Sequence, residues 1–327
     1  MNREEMLNKI LSSLKKNYFY VSTFFGSNTC FDFIAKSGKK TLLIKVYDNI
    51  DSIRKEQGEE LKKLANVLNG TCIIIGNKSK VFELKEQTVY FRYDIPTLTL
   101  KTFEQVLEQE TPKMKYFKGK YIVDIDFEEL KKKRKELDLS LEELAEKIGV
   151  TSDTLHRYEK GASTSLETAK KLESELGKDF RLDVDVFKYK PIIDKFDDQP
   201  QEELLEKMHD LGVKMAFFKH TPFRAYGTND QGIFISTSKG KFDIPKKALE
   251  LKKVSAVIES DSIIVTREYK YDSYDGVPIL NETDLETITK LKDLKKLIEE
   301  REKWLIKPII GFFEINKNPP LTFFNWQ

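Results

Sequence analysis

Cysteine and histidine are nearly absent. The 327 residues hold two cysteines, Cys30 and Cys72, and three histidines, His156, His209 and His220. Two scattered thiols make no disulfide framework, and none of these residues has the spacing of a zinc site. Both cysteines stand in apolar, strand-like runs and read as buried reduced thiols, with a redox role as the alternative. No apolar run approaches the length that crosses a bilayer, and the start, MNREEMLNKI, has no secretory hydrophobic region. A cytoplasmic protein without membrane contact is therefore expected. Net charge is scarce too: a balance of +2 creates no global basic field to announce nucleic acid.

What is present is a charged, globular composition, with 34% charged and 39% hydrophobic residues over a length that suits two or three domains. The charge is unevenly spread. Residues 1–120 carry 21 Lys and Arg against 14 Asp and Glu, whereas residues 121–180 carry 11 against 15.

Asn2–Lys16 places Met6, Ile10, Leu11 and Leu14 on one helical face. Strand-like runs come next at Tyr18–Phe24, Cys30–Ala35 and Thr41–Val46, then a helix at Lys55–Leu68 and a doubly buried strand at Thr71–Ile75. A strand near Thr88–Phe91 and a helix near Phe103–Glu110 complete an α/β domain over residues 1–112. The basic, turn-rich stretch TPKMKYFKGK marks a linker over 113–125, and residues 181–200 read as a second one.

The C-terminal part echoes the first domain. LKKLANVLNGTCIII (Leu61–Ile75) matches LKKVSAVIESDSIIV (Leu251–Val265) without a gap. Cys30–Ala35 falls beside Pro222–Gly227, Leu42–Val46 beside Ile233–Thr237, and Tyr93–Val106 beside Tyr274–Ile288. Four matches in one order point to an internal repeat, with a second α/β domain at 201–303. The aromatic tail, 304–327, is expected to cover a groove or a partner surface.

Between the copies, residues 126–180 are helical in pattern. Ser140 with Glu143 forms a capping box, Gly149 stands where a helix ends in a left-handed residue, and Thr151 caps the next helix. Leu144, Ala145, Ile148, Leu155 and Tyr158 face inward, and Val150 plugs the turn. This punctuation resembles the helix-turn-helix of the lambda-repressor (Cro-like) family from about Phe127 to Leu176. The resemblance implies that Ser152, Asp153 and Arg157 read bases; Arg157 could grip guanine and Asp153 accept from a cytosine amino group. For Asp153 an alternative stands, a carboxylate favouring the first turn of its helix. Thr151, His156, Lys160, Lys131 and Lys132 are the backbone-contact candidates, although His156 and the lysine run can equally be solvated. Arg134 and Glu159 match a structural ion pair of that family. Leu141 departs from it, standing where many members carry a DNA-contacting glutamine. Since the family pairs half-sites, a homodimer on a palindromic double-stranded operator is expected.

The flanking domains resemble the restriction-endonuclease-like PD-(D/E)XK core, whose acidic residues and Lys hold Mg²⁺ and activate water. Asp32 and Lys45 fit the first and last places, but Leu43 occupies the acidic one; Glu56 or Glu60 would have to substitute. In the second copy the three places hold Arg224, Phe234 and Ser236. Asp32 and Lys45 therefore read as vestigial, with no metal and no cofactor expected, and no residues can be named for a small-molecule effector. The whole arrangement resembles the archaeal family named putative HTH-type transcriptional regulators. The expected fold is thus a multi-domain α/β plus all-α protein, a central lambda-repressor-like domain between two degenerate nuclease-like domains. The expected function is transcriptional regulation rather than catalysis. A Mg²⁺-dependent nuclease or branched-DNA-binding enzyme, and a protein-interaction or ligand-sensing module, are the alternatives.

Overall fold

The computed structural model describes residues 1–25, 28–189, 198–200, 202–227, 232–267 and 269–303; the aromatic tail lies outside them. The first helix, α1 (Arg3–Lys16), starts on a reciprocal cap between Asn2 and Glu5 and buries Met6, Leu7, Ile10 and Leu14. Strands β1 (Tyr20–Thr23), β2 (Phe33–Ser37) and β3 (Lys40–Asn49) form an antiparallel run. Helix α2 (Lys55–Val67) then crosses over to β4 (Thr71–Lys78), which pairs parallel with β3. Both of these strands are apolar without alternation because both faces are covered. A tight turn at Tyr93 and Asp94, both with positive φ, links β5 (Thr88–Arg92) to β6 (Ile95–Leu98), and α3 (Leu100–Leu107) comes after it.

Two segments expected as linkers are structured. Residues Met114–Phe117 and Lys120–Val123 form β7 and β8, a hairpin turning at Lys118 and Gly119. Strand β7 pairs with β5 through Thr88↔Met114 and Val89↔Lys115, which extends the first sheet. The central helices are α4 (Phe127–Glu136), α5 (Leu141–Ile148), α6 (Ser152–Tyr158) and α7 (Leu166–Leu176). A short strand β9 (Thr164–Ser165) before α7 pairs with β8, so the sheet order runs β1-β2-β3-β4-β6-β5-β7-β8-β9. Past α7 the chain returns: Val184 and Val186 enter the α1–α3 core, and Phe187 O accepts from Thr71 Oγ1 at 2.9 Å. Part of the second expected linker is therefore docked, its apolar residues filling the outer face of the first sheet; residues 190–197 lie outside the described set.

The C-terminal unit comprises α8 (Glu203–Asp210), β10 (Met215–Phe217), β11 (Ala225–Gly227), β12 (Ile233–Ser238), α9 (Ile244–Ile258) and β13 (Asp261–Thr266). It ends with β14 (Ser273–Tyr274), β15 (Val277–Asn281), α10 (Glu282–Thr287) and α11 (Leu291–Lys303). Its strand order, β10-β11-β12-β13-β15-β14, is the order β1-β2-β3-β4-β6-β5 of the first unit.

The two units share one continuous apolar core, in which Leu61 and Leu64 of α2 join Leu251 and Val254 of α9. Their contacts are reciprocal. Lys63 of α2 donates to Phe217 O at 2.9 Å and lies over the Phe218 ring at 5.2 Å. In return, Lys253 O of α9 accepts from Ser22 Oγ at 2.7 Å, and its Nζ lies 5.9 Å from the centre of the Phe24 ring.

Candidate nucleic-acid interface

The central helices are set by local caps. Ser140 Oγ accepts from Glu143 N at 3.1 Å, and Ser140 N donates to the Glu143 carboxylate at 2.7 Å. That backbone hydrogen bond holds the Glu143 carboxyl below its ordinary value. Helix α5 ends at Gly149 with φ +73°, a conformation in which a side chain would crowd its own carbonyl. Thr151 Oγ1 then accepts from Thr154 N at 3.2 Å, which starts α6.

Helices α5 and α6 are oriented by their buried faces. Leu144, Ala145, Ile148 and Leu155 join Leu130, Ala169 and Leu172, with Val150 and Tyr158 packed against them. Beneath α6, Arg134 Nε and Nη2 donate to the two Glu159 oxygens at 2.6 and 3.0 Å, and Nη1 donates to Leu139 O at 2.7 Å. This fork locks the end of α6 to α4 and the α4–α5 turn, and the Glu159 carboxylate drives the Arg134 pKa upward. The pair is buried, so neither member is available to a ligand.

With Leu155 and Glu159 turned inward, Asp153, His156 and Arg157 are exposed on the opposite side of α6, and Ser152 is half-buried beside them. Arg157, Lys160 and Lys131 have no ion-pair partner among the described residues. Lys132 stands 3.8 Å from both Glu129 and Glu136, at i−3 and i+4 on its own helix. It is a weaker phosphate candidate, because its charge is partly neutralised locally. Thr151 is exposed, with its hydroxyl engaged in capping α6.

The nuclease-like positions have a different character. Asp32 and Lys45, the two residues that fit the nuclease-like pattern, stand 3.2 Å apart in a closed environment. Asp32, 1% exposed, also accepts from Arg3 Nη2 at 2.7 Å and from Val46 N at 2.8 Å. Lys45 Nζ donates to Thr29 O at 2.8 Å. Leu43 is fully buried in the apolar core. Glu60, a possible substitute ligand, instead accepts from the backbone N–H groups of Lys219 and His220 at 2.7 and 2.6 Å, tying α2 to the second unit. Glu56 is exposed on α2 and lines the cleft between the units. One carboxylate already neutralised by two cations and an N–H is a poor donor set for Mg²⁺, which is bound through carboxylates that remain free to ligate. The residues do not fit the ion. In the second unit Arg224 donates to Glu202 at 2.9 and 2.7 Å, and Ser236 Oγ lies 3.3 Å from Pro222 O. Cys30 and Cys72 are buried free thiols, and burial pushes Cys72 up to about 12. No described helix is long and apolar enough to cross a membrane.

Comparison with known proteins agrees with this division. Residues 3–112 match the PD-(D/E)XK superfamily domain, and residues 130–182 match the helix-turn-helix family. A protein of Methanococcus maripaludis is 31% identical over 330 residues, covering 92% of this chain and 99% of the relative. One from Methanocaldococcus jannaschii is 29% identical over 321 residues, covering 93% and 98%. One from Picrophilus torridus is 28% identical over 305 residues, covering 91% and 98%. All three carry the name Putative HTH-type transcriptional regulatory protein. No solved structure matches the chain.

Proposed function

The chain belongs to the archaeal family of putative HTH-type transcriptional regulatory proteins, and from that premise we propose that it regulates transcription by binding a specific DNA sequence as a homodimer. The observation that carries this reading is the outer side of α6. Asp153, His156 and Arg157 stand exposed there while the Arg134–Glu159 fork holds the helix from beneath. Ser152, Asp153 and Arg157 read base edges in the major groove, and Thr151, His156, Lys160 and Lys131 position the phosphates. Lys132 contributes less, being shared with Glu129 and Glu136. One small module binds weakly, and a second copy reading the neighbouring half-site supplies the rest.

We read the two α/β units as duplicated copies, supported by their common strand order and reciprocal contacts. Because α2 and α9 already pair the units within one chain, that face is spent. The contact between chains then uses another surface. The units act as scaffold rather than nuclease, in keeping with the closed surroundings of Asp32 and the apolar Leu43. A regulator of this kind works in the cytoplasm.

The test is to sequence genomic fragments retained by the purified protein at about 200 mM salt, where phosphate-only binding is suppressed. A shared palindrome is expected. Retention without a common sequence would favour structure-specific binding. Absence of retention would favour a protein-binding role for the central helices. Mg²⁺-dependent cleavage of the fragments, lost on changing Asp32, would restore the nuclease reading.

A further inference from the structure

We propose that the β7–β8 hairpin is a second DNA-contacting element, a basic wing that grips the sugar–phosphate backbone beside the recognition helix. The proposal rests on the DNA-binding reading above and adds a surface to it. Thr111–Val123 holds four lysines, Lys113, Lys115, Lys118 and Lys120, and no acidic residue. The fold divides them by role. Lys113 pairs with Asp179 at 2.9 Å and Lys115 with Asp124, which staples the base of the hairpin to its surroundings. Lys118 and Lys120, at the tip, are exposed and have no ion-pair partner among the described residues.

Lys118 has φ +47° ahead of Gly119 at +81°, in a two-residue hairpin turn that favours Asn, Asp or Gly at its first position. The Lys118 ammonium lies 5.3 Å from the centre of the Phe117 ring, which holds it at the exposed tip of the hairpin.

Position supplies the rest. Strand β8 pairs with β9 through Ile122↔Ser165 and Val123↔Thr164, and β9 lies in the connection from α6 to α7. The hairpin is thereby fixed in the same sheet as the segment just past the recognition helix. A cleft of about 650 Å³ lies between them, lined by Gly119, Lys120 and Tyr121 on one side and Tyr158, Ser163 and Glu167 on the other, the Glu167 carboxylate being paired with Lys171 at 3.1 Å. Lys85 stands at its edge, 4.4 Å from the Tyr121 ring, likewise without an ion-pair partner among the described residues. Lys120 and Lys85 give the cleft a basic margin, and Lys160, just past α6, is exposed and likewise has no ion-pair partner among the described residues. Duplex DNA lying along α6 would present its flanking phosphates to this margin, and ammonium groups without a fork geometry read charge rather than sequence.

The experiment measures Kd against salt concentration for the full-length protein and for Lys118→Gln/Lys120→Gln. Each is titrated with the selected operator duplex and with an unrelated duplex. Each lost phosphate contact lowers the logarithmic salt slope by about one, so a drop of about two is expected on both duplexes. The preference between them should stay constant. An unchanged slope would overturn the wing, and so would a changed preference at constant slope. If the double variant melts early, Lys120→Gln alone should lose about one and Lys120→Arg none. If the unaltered protein binds neither duplex, the DNA-binding reading itself fails; if it binds and the variant matches it, only the wing fails.

Discussion

Asp32 and Arg224 occupy corresponding backbone positions in the two α/β units and carry opposite charges. Asp32 N donates to Ile44 O at 2.8 Å while Asp32 O accepts from Phe24 N; Arg224 N donates to Ile235 O at 2.8 Å while Arg224 O accepts from Phe218 N. Their partners are inverted as well. Arg3, at the start of α1, faces Asp32, and Glu202, at the start of α8, faces Arg224. Both units thus hold an ion pair between the start of the first helix and the residue that leads into the second strand, and at these two positions the charge is already paired. In each unit the position bridges helix and sheet.

The first prediction comes from that bridge. Millimolar Mg²⁺ should leave the melting temperature unchanged, because a ligand stabilises only the state that binds it. Asp32→Ala should cost about 3–5 kcal/mol, since it strands the buried Lys45 cation. Urea and thermal melts with and without Mg²⁺ measure both. A Mg²⁺-dependent rise that disappears in Asp32→Ala would reverse the argument.

The Arg134–Glu159 fork gives a second prediction. Glu159→Ala should lose about 3 kcal/mol by leaving a buried guanidinium unpaired, and Arg134→Met/Glu159→Leu should lose less despite removing both charges. Urea denaturation of the three proteins decides it. A double variant less stable than Glu159→Ala would show that the pair adds net stability.

Recognition is tested at Arg157 and Asp153. Arg157→Ala should cost about 1–3 kcal/mol and relax preference at one base position. Asp153 is exposed, and the cap of α6 is made by Thr151, so Asp153→Asn should alter preference at a cytosine. Selection of randomised operators by each variant reports the outcome. Unchanged preference with a slightly lower melting temperature would assign Asp153 to the helix dipole instead.

Asp179 predicts a pH dependence. The Arg181 guanidinium hydrogen-bonded to it, with Lys113 beside it, holds its carboxyl well below the usual carboxylate range. A depressed folded-state pKa means that the unfolded chain binds the proton more readily. The stabilisation is complete above the unfolded value of about 4 and fades as pH falls through the folded one. The gap in melting temperature between the protein and Asp179→Asn should therefore be widest above about pH 5 and close towards pH 2. A gap constant with pH would dissociate Asp179 from this network.

The sequence by itself determined the central helices, because their signals are local. Ser140 and Glu143 cap each other across three residues, Gly149 takes the left-handed turn, and the inward faces keep to the helical repeat. It also determined the buried character of both cysteines and the apolar place of Leu43. Long-range pairing was another matter. Thr111–Lys120 reads as a basic connector until β5 offers an edge, 26 residues earlier at Thr88↔Met114, and turns it into a hairpin. Arg3 meets Asp32 across 29 residues, and Glu60 meets Lys219 across 159. Those partners are chosen by which surfaces pack and which strand edges remain unpaired. That choice is made when the whole chain closes, so only the tertiary structure reveals the closed surroundings of Asp32 and the β7–β8 hairpin.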